Sequence, residues 1–247
     1  MDKYEVEKKK WDEKSEHMLA MQRDWKREQT YDTVFQRKHK LIPIYRFFDR
    51  IGEPGIQVLD YGAGAGWTAL LFSSKAESVQ AFDISTKRIH VLNRYIEQNH
   101  LQNLKTIVAN GEELPYADET FDYVFGHAIL HHLTLDECLP EIARILKPGG
   151  RAAFCEPMAH NPLVNAYRFV KHHYVEKYLG TDHPFRLEEK ITFEKYFYHV
   201  DFVKGVFFRE KNKMLFYLND VLLRVPFISR YASYMTILLE KENEIGH

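Results

Sequence analysis

Cysteine is scarce in this chain, which has Cys138 and Cys155 and no others among its 247 residues. Two cysteines are too few for a disulfide framework, and they lack the paired spacing of a structural zinc site. We therefore expect no metal centre of that kind and a reducing, cytoplasmic compartment.

The chain also has no excess of positive or negative charge. The 34 lysines and arginines face 35 aspartates and glutamates, which leaves a formal net charge of −1. Because no field of one sign extends over the whole chain, nothing attracts phosphate backbones. We expect no nucleic-acid partner.

Long apolar runs are missing as well. No uninterrupted run reaches the roughly 18 residues that a membrane-spanning helix needs, and the charged N-terminus has no apolar signal-peptide core. We expect neither export nor stable membrane insertion. What is present is a composition with 45% hydrophobic and 28% charged residues, which is typical of an ordinary folded globular chain.

The first fifty residues are rich in charge and contain no glycine or proline before Pro43. This pattern predicts two or three helices over 1–50. Their aromatic residues either dock the helices onto the core or belong to a helical lid over a site. These aromatic residues are Trp11, Trp25, Tyr31, Phe35, Tyr45, Phe47 and Phe48.

After the breaker Gly52-Glu53-Pro54-Gly55, short apolar runs alternate with helical stretches. This alternation predicts an α/β domain over 51–247 with a parallel sheet and crossover helices. The predicted strands are Gln57–Tyr61, Ser78–Phe82, Leu104–Val108, Phe121–Phe125, Ala152–Cys155, Phe202–Phe208 and Tyr234–Leu239. The predicted helices are Trp67–Lys75, Ser85–Gln98, Leu135–Leu146 and Met214–Phe227.

The most informative stretch is a buried strand that leads into a glycine-rich turn and a helix, Val58-Leu59-Asp60-Tyr61-Gly62-Ala63-Gly64-Ala65-Gly66-Trp67. Glycine tolerates positive φ and has no Cβ, so Gly62 and Gly64 can bend sharply and expose backbone N–H groups to a ligand. The second strand ends at Asp83, where a carboxylate can accept hydrogen bonds from both hydroxyls of a ribose.

Two details favour S-adenosylmethionine over NAD as the ligand. Trp67 stands where the dinucleotide fingerprint has its third glycine. Asp60, just before the first glycine, would repel a pyrophosphate but attract the ammonium group of a methionine moiety, directly or through water. An NAD-dependent oxidoreductase remains an alternative.

The sequence resembles the class I S-adenosylmethionine-dependent methyltransferases, in the small-molecule group that includes the menaquinone and ubiquinone methylating enzymes. The blocks that carry the resemblance are Val58–Gly66, Ala81–Ile84, Asn110–Pro115 with Phe121–Phe125, and Leu146–Gly150. The resemblance implies a Rossmann-like, doubly wound, seven-stranded sheet with its last strand antiparallel. It also implies methyl transfer from S-adenosylmethionine to a small molecule, with S-adenosylhomocysteine as the product.

The resemblance also implies a set of cofactor-binding residues. Asn110 stands where the family often has the aspartate that accepts a hydrogen bond from adenine, and its carbonyl oxygen can still accept that bond. Gly111 and Glu112 would line the same wall, and Gly126 and His127 would border the cofactor. The full expected set is Asp60, Gly62, Ala63, Gly64, Asp83, Ile84, Asn110, Gly111, Glu112, Gly126 and His127.

Three histidines follow the fourth strand, where the family brings methyl donor and acceptor together. An imidazole there could take a proton from an acceptor, with His127 as the first candidate and His131 as the second. A structural role for at least one ring is the alternative. We expect no metal site, because adjacent His131 and His132 should not aim both rings one way. Glu156 could orient an acceptor or cap the following turn.

Residues from about 158 to 199 correspond to the region in which the family builds its acceptor pocket. Aromatic and polar residues there favour a small aromatic or lipophilic acceptor, and they are His160, Asn161, Tyr167, Arg168, His172, His173 and Tyr174. A helical insertion is expected at about 212–230, where the lack of a basic face favours packing over membrane binding. We expect a monomer or homodimer. A protein that binds the cofactor or a partner without catalysis is another alternative.

Overall fold

The computed structural model describes residues 3–20, 44–162, 164–166, 169, 184–205, 207 and 213–243. The strands are β1 (Gln57–Tyr61), β2 (Ser78–Asp83), β3 (Leu104–Val108), β4 (Phe121–His127), β5 (Leu146–Pro157), β6 (His199–Lys204) and β7 (Tyr234–Glu240). The α-helices are α1 (Lys3–Ala20), α2 (Trp67–Ser73), α3 (Thr86–Gln98), α4 (Leu135–Ile145), α5 (Lys190–Phe193), α6 (Lys213–Leu223) and α7 (Pro226–Ser229). Single 3₁₀ turns lie at Leu130–His132 and Leu187–Glu189.

The strands form one seven-stranded sheet with the order β3-β2-β1-β4-β5-β7-β6. Adjacent strands from β3 to β5 are parallel, whereas β7 lies between β5 and β6 and is antiparallel to both. This arrangement confirms the predicted Rossmann-like doubly wound sheet with an antiparallel last strand.

The sheet is buried on both faces, as parallel sheets with crossover helices usually are. In β1, the residues Val58, Leu59 and Tyr61 are fully buried, and alternate residues point into two separate apolar clusters. One cluster contains Leu59 and Tyr61, and the other contains Val58. A continuous apolar run, rather than an alternating one, is therefore the correct pattern for this strand.

The strand order reverses between β1 and β4, which form a pair with Tyr61 opposite Gly126. At such a reversal the loops after the two strands diverge to opposite faces and leave a crevice at the carboxyl ends. The glycine turn after β1 and the histidine-containing segment after β4 therefore border the same crevice.

Two predicted elements near the C-terminus differ from the structure. The sixth strand is His199–Lys204, earlier in the chain than the predicted Phe202–Phe208. The predicted helix Met214–Phe227 is two helices, α6 and α7, because Pro226 disfavours a helical conformation of the residue before it, and Val225 is extended. This segment was predicted to pack against the protein, and only one side of it does so. Asn219 is buried, whereas Met214, Tyr217, Val221 and Phe227 are exposed.

The N-terminal aromatic residues fall into two groups. Phe48 is buried and stacks on Tyr123 with ring centroids 4.5 Å apart, so this part of the segment docks onto the core. Trp11, on α1, borders the crevice instead. Trp25, Tyr31 and Phe35 lie outside the described residues.

Candidate active site

A cavity of about 430 Å³ lies at the carboxyl ends of β1, β2 and β4 and is covered by α1. Of the predicted cofactor-binding residues, nine line this cavity: Gly62, Ala63, Gly64, Asp83, Ile84, Asn110, Gly111, Glu112 and His127. Small-molecule sites usually have volumes of about 300–1,000 Å³, so the cavity has room for one ligand of nucleoside size.

The glycine turn has the backbone that the sequence predicts. Gly62, Gly64 and Gly66 have φ values of 70°, 57° and 89°, in the left-handed region that side chains disfavour. A Cβ on Gly62 would lie 2.6 Å from Cγ1 of Ile129, and a Cβ on Gly66 would collide with Leu92. The turn is therefore shaped both by its dihedral angles and by neighbours that leave no space for a side chain.

Asp83 connects the end of β2 to this turn. Its Oδ2 accepts a hydrogen bond from the backbone N–H of Gly64 at 2.8 Å, and its Oδ1 accepts one from the N–H of Ser85 at 2.9 Å. Burial raises the pKa of Asp83, although Arg88, with its guanidinium 3.7 Å away, opposes that effect. Ser85 caps α3 by accepting a hydrogen bond from the N–H of Arg88.

The wall after β3 is held by short polar contacts. The Oδ1 of Asn110 accepts a hydrogen bond from the N–H of Glu112 at 3.1 Å, and the hydroxyl of Tyr61 donates to the carbonyl of Gly111. Glu112 accepts from the backbone N–H of Thr134 at 2.7 Å and from Lys3 at 2.8 Å. Burial alone would raise the pKa of Glu112, but these donors outweigh it and lower that pKa.

Two predicted cofactor residues lie beneath the cavity rather than in its wall. Asp60 is 1% exposed and accepts a hydrogen bond from the hydroxyl of Thr68 at 2.5 Å, and Thr68 lines the cavity in its place. Burial raises the pKa of Asp60 to about 7, so its carboxyl group is only partly ionised at neutral pH. Gly126 is covered because Phe154 and Ile129 lie against it.

The histidines after β4 have different surroundings. His127 and His132 line the cavity. The ring of Trp67 is edge-on to His127 at 5.5 Å, and Tyr234 lies nearly parallel to His127 at 6.4 Å. His127 and His132 therefore border the same space, and a base role for His127 stays a prediction.

His131, the second candidate base, does not line the cavity, and a base role for it stays a prediction. Its Nδ1 lies 2.7 Å from Oε2 of Glu156, a carboxylate that is fully buried. The rings of His131 and His132 have centroids 4.0 Å apart, but Nδ1 of His131 faces Glu156 whereas His132 lines the cavity. Within the described part of the chain, no group of three or more His, Cys, Asp or Glu residues could hold a metal ion.

The helix α1 contributes residues that the sequence did not single out as ligand contacts. Lys3 joins it to Glu112 and to Thr134, and Asp12 accepts a hydrogen bond from the hydroxyl of Ser85 at 2.5 Å. The ring of Trp11 contacts the guanidinium of Arg88, 4.3 Å from the ring centroid. The α1 residues that line the cavity are Lys3, Tyr4, Glu7 and Trp11. The sequence identifies Trp11 as an aromatic residue of the N-terminal segment, but it does not predict the contact with Arg88.

The predicted acceptor segment is described only in part. Asn161 has a structural role, since its amide donates to the carbonyl of Tyr231 at 2.8 Å, and His160 lies 3.7 Å from Glu188. Neither residue lines the cavity. Tyr167, Arg168, His172, His173 and Tyr174 lie outside the described residues.

Comparison with known proteins adds to this geometry. Residues 59–154 match the model of the family described as "Methyltransferase domain". Over this stretch the chain is similar to the class I methyltransferases. This type of domain depends on S-adenosylmethionine, and its first, second and fourth strands supply the crevice described above.

Two curated relatives are similar to part of the chain. "Uncharacterized methyltransferase YcgJ" of Bacillus subtilis (strain 168) is 30% identical over 118 residues, which are 47% of this chain and 46% of the relative. "Demethylmenaquinone methyltransferase" of Bacillus mycoides (strain KBAB4) is 34% identical over 108 residues, 42% of this chain and 46% of the relative. The chain thus spans less than half the length of the curated relatives that it matches.

The fold extends beyond the stretch of sequence similarity. The structure of phosphoethanolamine N-methyltransferase 2 from Haemonchus contortus in complex with S-adenosyl-L-methionine has a TM-score of 0.60 with 17% identity. The alignment covers 87% of this chain and 59% of that one. At this identity the similarity establishes the fold alone. In the described part of the chain, no helix combines the length and the hydropathy of a membrane span.

Proposed function

We propose that this protein transfers the methyl group of S-adenosylmethionine to an oxygen, nitrogen or carbon atom of a small aromatic or lipophilic molecule. The observation that carries the proposal is that Asp83 and residues 62–65 of the glycine turn lie together on one wall of the cavity. The relatives that share this domain support the reaction class.

The residues in the cavity fit S-adenosylmethionine. Asp83 offers carboxylate oxygens to the two ribose hydroxyls, and the segment 110–112 offers polar groups to adenine. The turn at Gly62, Ala63 and Gly64 presents backbone without bulky side chains to the methionine moiety, and Ile84 borders the ribose end. The cofactor supplies an electrophilic methyl group on a sulfonium centre.

Little covalent chemistry is required of the protein. The residues around the cavity align the acceptor with the methyl group and exclude water, and orientation of this kind lowers a barrier by several kcal/mol. The helix α1 closes the cavity through Lys3 and Trp11, which fits a lid rather than a docking element alone. If the acceptor atom carries a proton, His127 is the group placed to take it.

The acceptor class follows from the rings at the cavity. Trp11, Trp67, His127 and His132 present flat surfaces that favour an aromatic or apolar molecule. The name of the Bacillus mycoides relative, a methyltransferase of demethylmenaquinone, points the same way for that protein. The acceptor is therefore sought first among quinone-like and other hydrophobic aromatic compounds.

The test combines calorimetry with a transfer assay. We expect S-adenosylmethionine and S-adenosylhomocysteine to bind the purified protein, and NAD to give no heat. Methyl-labelled cofactor incubated with cell extract should then yield a labelled small molecule only when active protein is present. Absence of binding by both adenosyl compounds would overturn the proposal.

The same experiment distinguishes methyl transfer from a second candidate function, which is binding without catalysis. The ion pairs and hydrogen bonds of α1 could serve a protein that binds the cofactor or a partner without transferring a methyl group. Binding of S-adenosylmethionine without any labelled product in lipid-soluble and aqueous extracts would favour that function.

His127→Ala tests the base. We expect the affinity for S-adenosylhomocysteine to stay within about threefold, because other residues hold the nucleoside. Turnover should fall by about 10²–10⁴ if the acceptor atom carries a proton. Unchanged turnover would assign His127 to the cavity wall alone.

A further inference from the structure

The carboxylate of Glu156 lies at the end of β5, is fully buried, and has three hydrogen-bond partners at once. Its Oε1 accepts hydrogen bonds from the backbone N–H groups of Ile129 at 3.0 Å and Leu130 at 2.9 Å. Its Oε2 lies 2.7 Å from Nδ1 of His131. All three partners belong to the segment that follows β4, which we call the β4 exit segment (residues 128–132).

The β4 exit segment requires such a restraint. Ala128 has a φ of 54°, in the left-handed region that alanine rarely adopts, and its N–H donates to the carbonyl of Cys155 at 2.8 Å. A turn with an unfavourable dihedral angle persists only when its surroundings determine it. The β5 backbone at Cys155 and the side chain of Glu156 supply those surroundings.

The position of Ile129 links this segment to the cofactor turn. Its side chain lies against both Gly62 and Gly126, since a Cβ on Gly62 would lie 2.6 Å from its Cγ1 and a Cβ on Gly126 would lie 2.9 Å from its Cγ2. The N–H that fixes Ile129 is bound by Glu156. A shift of Ile129 would therefore open the contact beneath Gly62.

The same restraint positions the rings at the far side of the cavity. His131 contacts His132, with centroids 4.0 Å apart, and His132 meets the edge of Trp11 on α1 at 5.2 Å. His132 lines the cavity, whereas His131 and Glu156 do not.

We propose that Glu156 is a positioning residue that holds the β4 exit segment through Ile129, Leu130 and His131, and thereby sets the shape of the cofactor turn and the place of His132. Its action is geometric, exerted by the acceptor oxygens, and not a proton relay. The proposal rests on the proposed function for its effect on turnover, but its effect on backbone protection does not depend on methyl transfer.

Two pairs of variants separate geometry from charge. Glu156→Gln keeps an oxygen for the two N–H groups, and its amide can meet Nδ1 of His131 if that ring moves its proton to Nε2. Glu156→Ala removes all three bonds. His131→Asn keeps a nitrogen donor at the position of Nδ1, whereas His131→Ala removes it. Thr236→Val is the control, since Thr236 is buried on β7 opposite Cys155 and its hydroxyl meets Cys155 Sγ at 3.6 Å.

The first measurement is amide hydrogen exchange without ligand. We expect the amides of Ile129 and Leu130 to exchange about tenfold or more faster in Glu156→Ala than in the wild type. Glu156→Gln, His131→Asn and Thr236→Val should stay within about threefold of the wild type. Wild-type exchange at both amides in Glu156→Ala would overturn the proposal.

The second measurement is calorimetric binding of S-adenosylhomocysteine, at a temperature where circular dichroism shows each variant folded. We expect the affinity to fall about tenfold in Glu156→Ala and to stay within about threefold in Glu156→Gln. A purely stabilising role would lower the melting temperature of Glu156→Ala but leave this affinity unchanged, which would overturn the proposal. If Glu156→Ala does not fold, the two His131 variants decide. We then expect His131→Ala to lose about tenfold in affinity and His131→Asn to stay within about threefold of the wild type.

Transfer of labelled methyl to extract acceptors completes the test. Turnover of Glu156→Gln within about threefold of the wild type supports a positioning role. If Glu156→Gln instead loses as much turnover as Glu156→Ala, Glu156 acts as a proton relay and the proposal is overturned. If the wild type binds no adenosyl compound, the proposed function fails while the exchange data still judge the role of Glu156.

Discussion

Asp83 is the single residue on which cofactor binding should depend most. Its two oxygens accept hydrogen bonds from the N–H groups of Gly64 and Ser85, so the carboxylate is fixed before a ligand arrives. Hydrogen bonds to a charged group contribute about 1.5–3 kcal/mol each. We expect Asp83→Asn, which keeps one acceptor oxygen, to weaken S-adenosylhomocysteine binding by about 10–100-fold.

Calorimetry measures this effect, and Asp118→Asn is a suitable control. Asp118 is exposed and pairs with Arg144, far from the contacts of Asp83. Equal affinities for Asp83→Asn and the wild type would remove Asp83 from the ribose site.

Asp60 makes a different prediction, one about stability and pH. Burial raises its pKa from 3.8 to about 7 in the folded protein. Between these values the unfolded chain has lost the proton and the folded chain retains it, so stability falls as the pH rises, by up to about 1.4 kcal/mol per pH unit. Asp60→Asn lacks this dependence, so its stability relative to that of the wild type should rise progressively from pH 4 to pH 7.

Urea unfolding of both proteins at several pH values measures the difference. Comparing the two cancels the titration of all other groups, and Asp201→Asn, at an exposed position on β6, controls for loss of a carboxylate. A stability difference between wild type and Asp60→Asn that does not vary with pH would contradict the assigned pKa shift.

At the scale of elements, α1 is the part whose role can be tested most directly. Trp11 contacts Arg88 and His132 and lines the cavity. An aromatic ring over a guanidinium contributes about 0.5–2 kcal/mol. We expect Trp11→Ala to weaken S-adenosylhomocysteine binding by about tenfold, with little change in the melting temperature, since most of the core lies on the sheet.

Lys9→Ala is the matched control on the same helix, because Lys9 is 67% exposed and its carboxylate partner Glu13 is 4.0 Å away. Binding that is equally strong in Trp11→Ala and Lys9→Ala would restrict α1 to a docking role.

The elements also show what a sequence can and cannot predict. β1 and β3 have the predicted bounds, because a continuous apolar run between turns is local information. Asp83 and the glycine turn could be predicted for the same reason. By contrast, Lys3 and Glu112 are 109 residues apart, and His131 and Glu156 are 25 apart. Such pairs depend on the packing of elements, and so does the burial of Asp60 behind Thr68, which lines the cavity.

At the scale of the whole molecule, the cavity joins both halves of the sheet. Gly62 follows β1 and His127 ends β4, on the two sides of the reversal in strand order, while α1 spans them from Glu112 to Ser85. A ligand that contacts β1, β4 and α1 binds only when these elements are assembled. Its binding therefore stabilises the folded state of the whole domain.

This linkage gives a prediction that needs no acceptor. A ligand at one hundred times its dissociation constant stabilises the folded state by about 2.7 kcal/mol. For a domain of this size each kcal/mol raises the melting temperature by about 2–4 °C. We therefore expect S-adenosylmethionine at that excess to raise the melting temperature by about 5–10 °C, measured by scanning calorimetry.

The same concentration of NAD should give no shift, because Trp67 stands where the dinucleotide fingerprint has the glycine that lets a pyrophosphate lie against the helix. Asp83→Asn should show a reduced shift at the same S-adenosylmethionine concentration, since its affinity is lower. A shift with NAD equal to that with S-adenosylmethionine would mean that the cavity recognises only the adenosine that both ligands share, and the methionine side of the site would then have to be sought elsewhere.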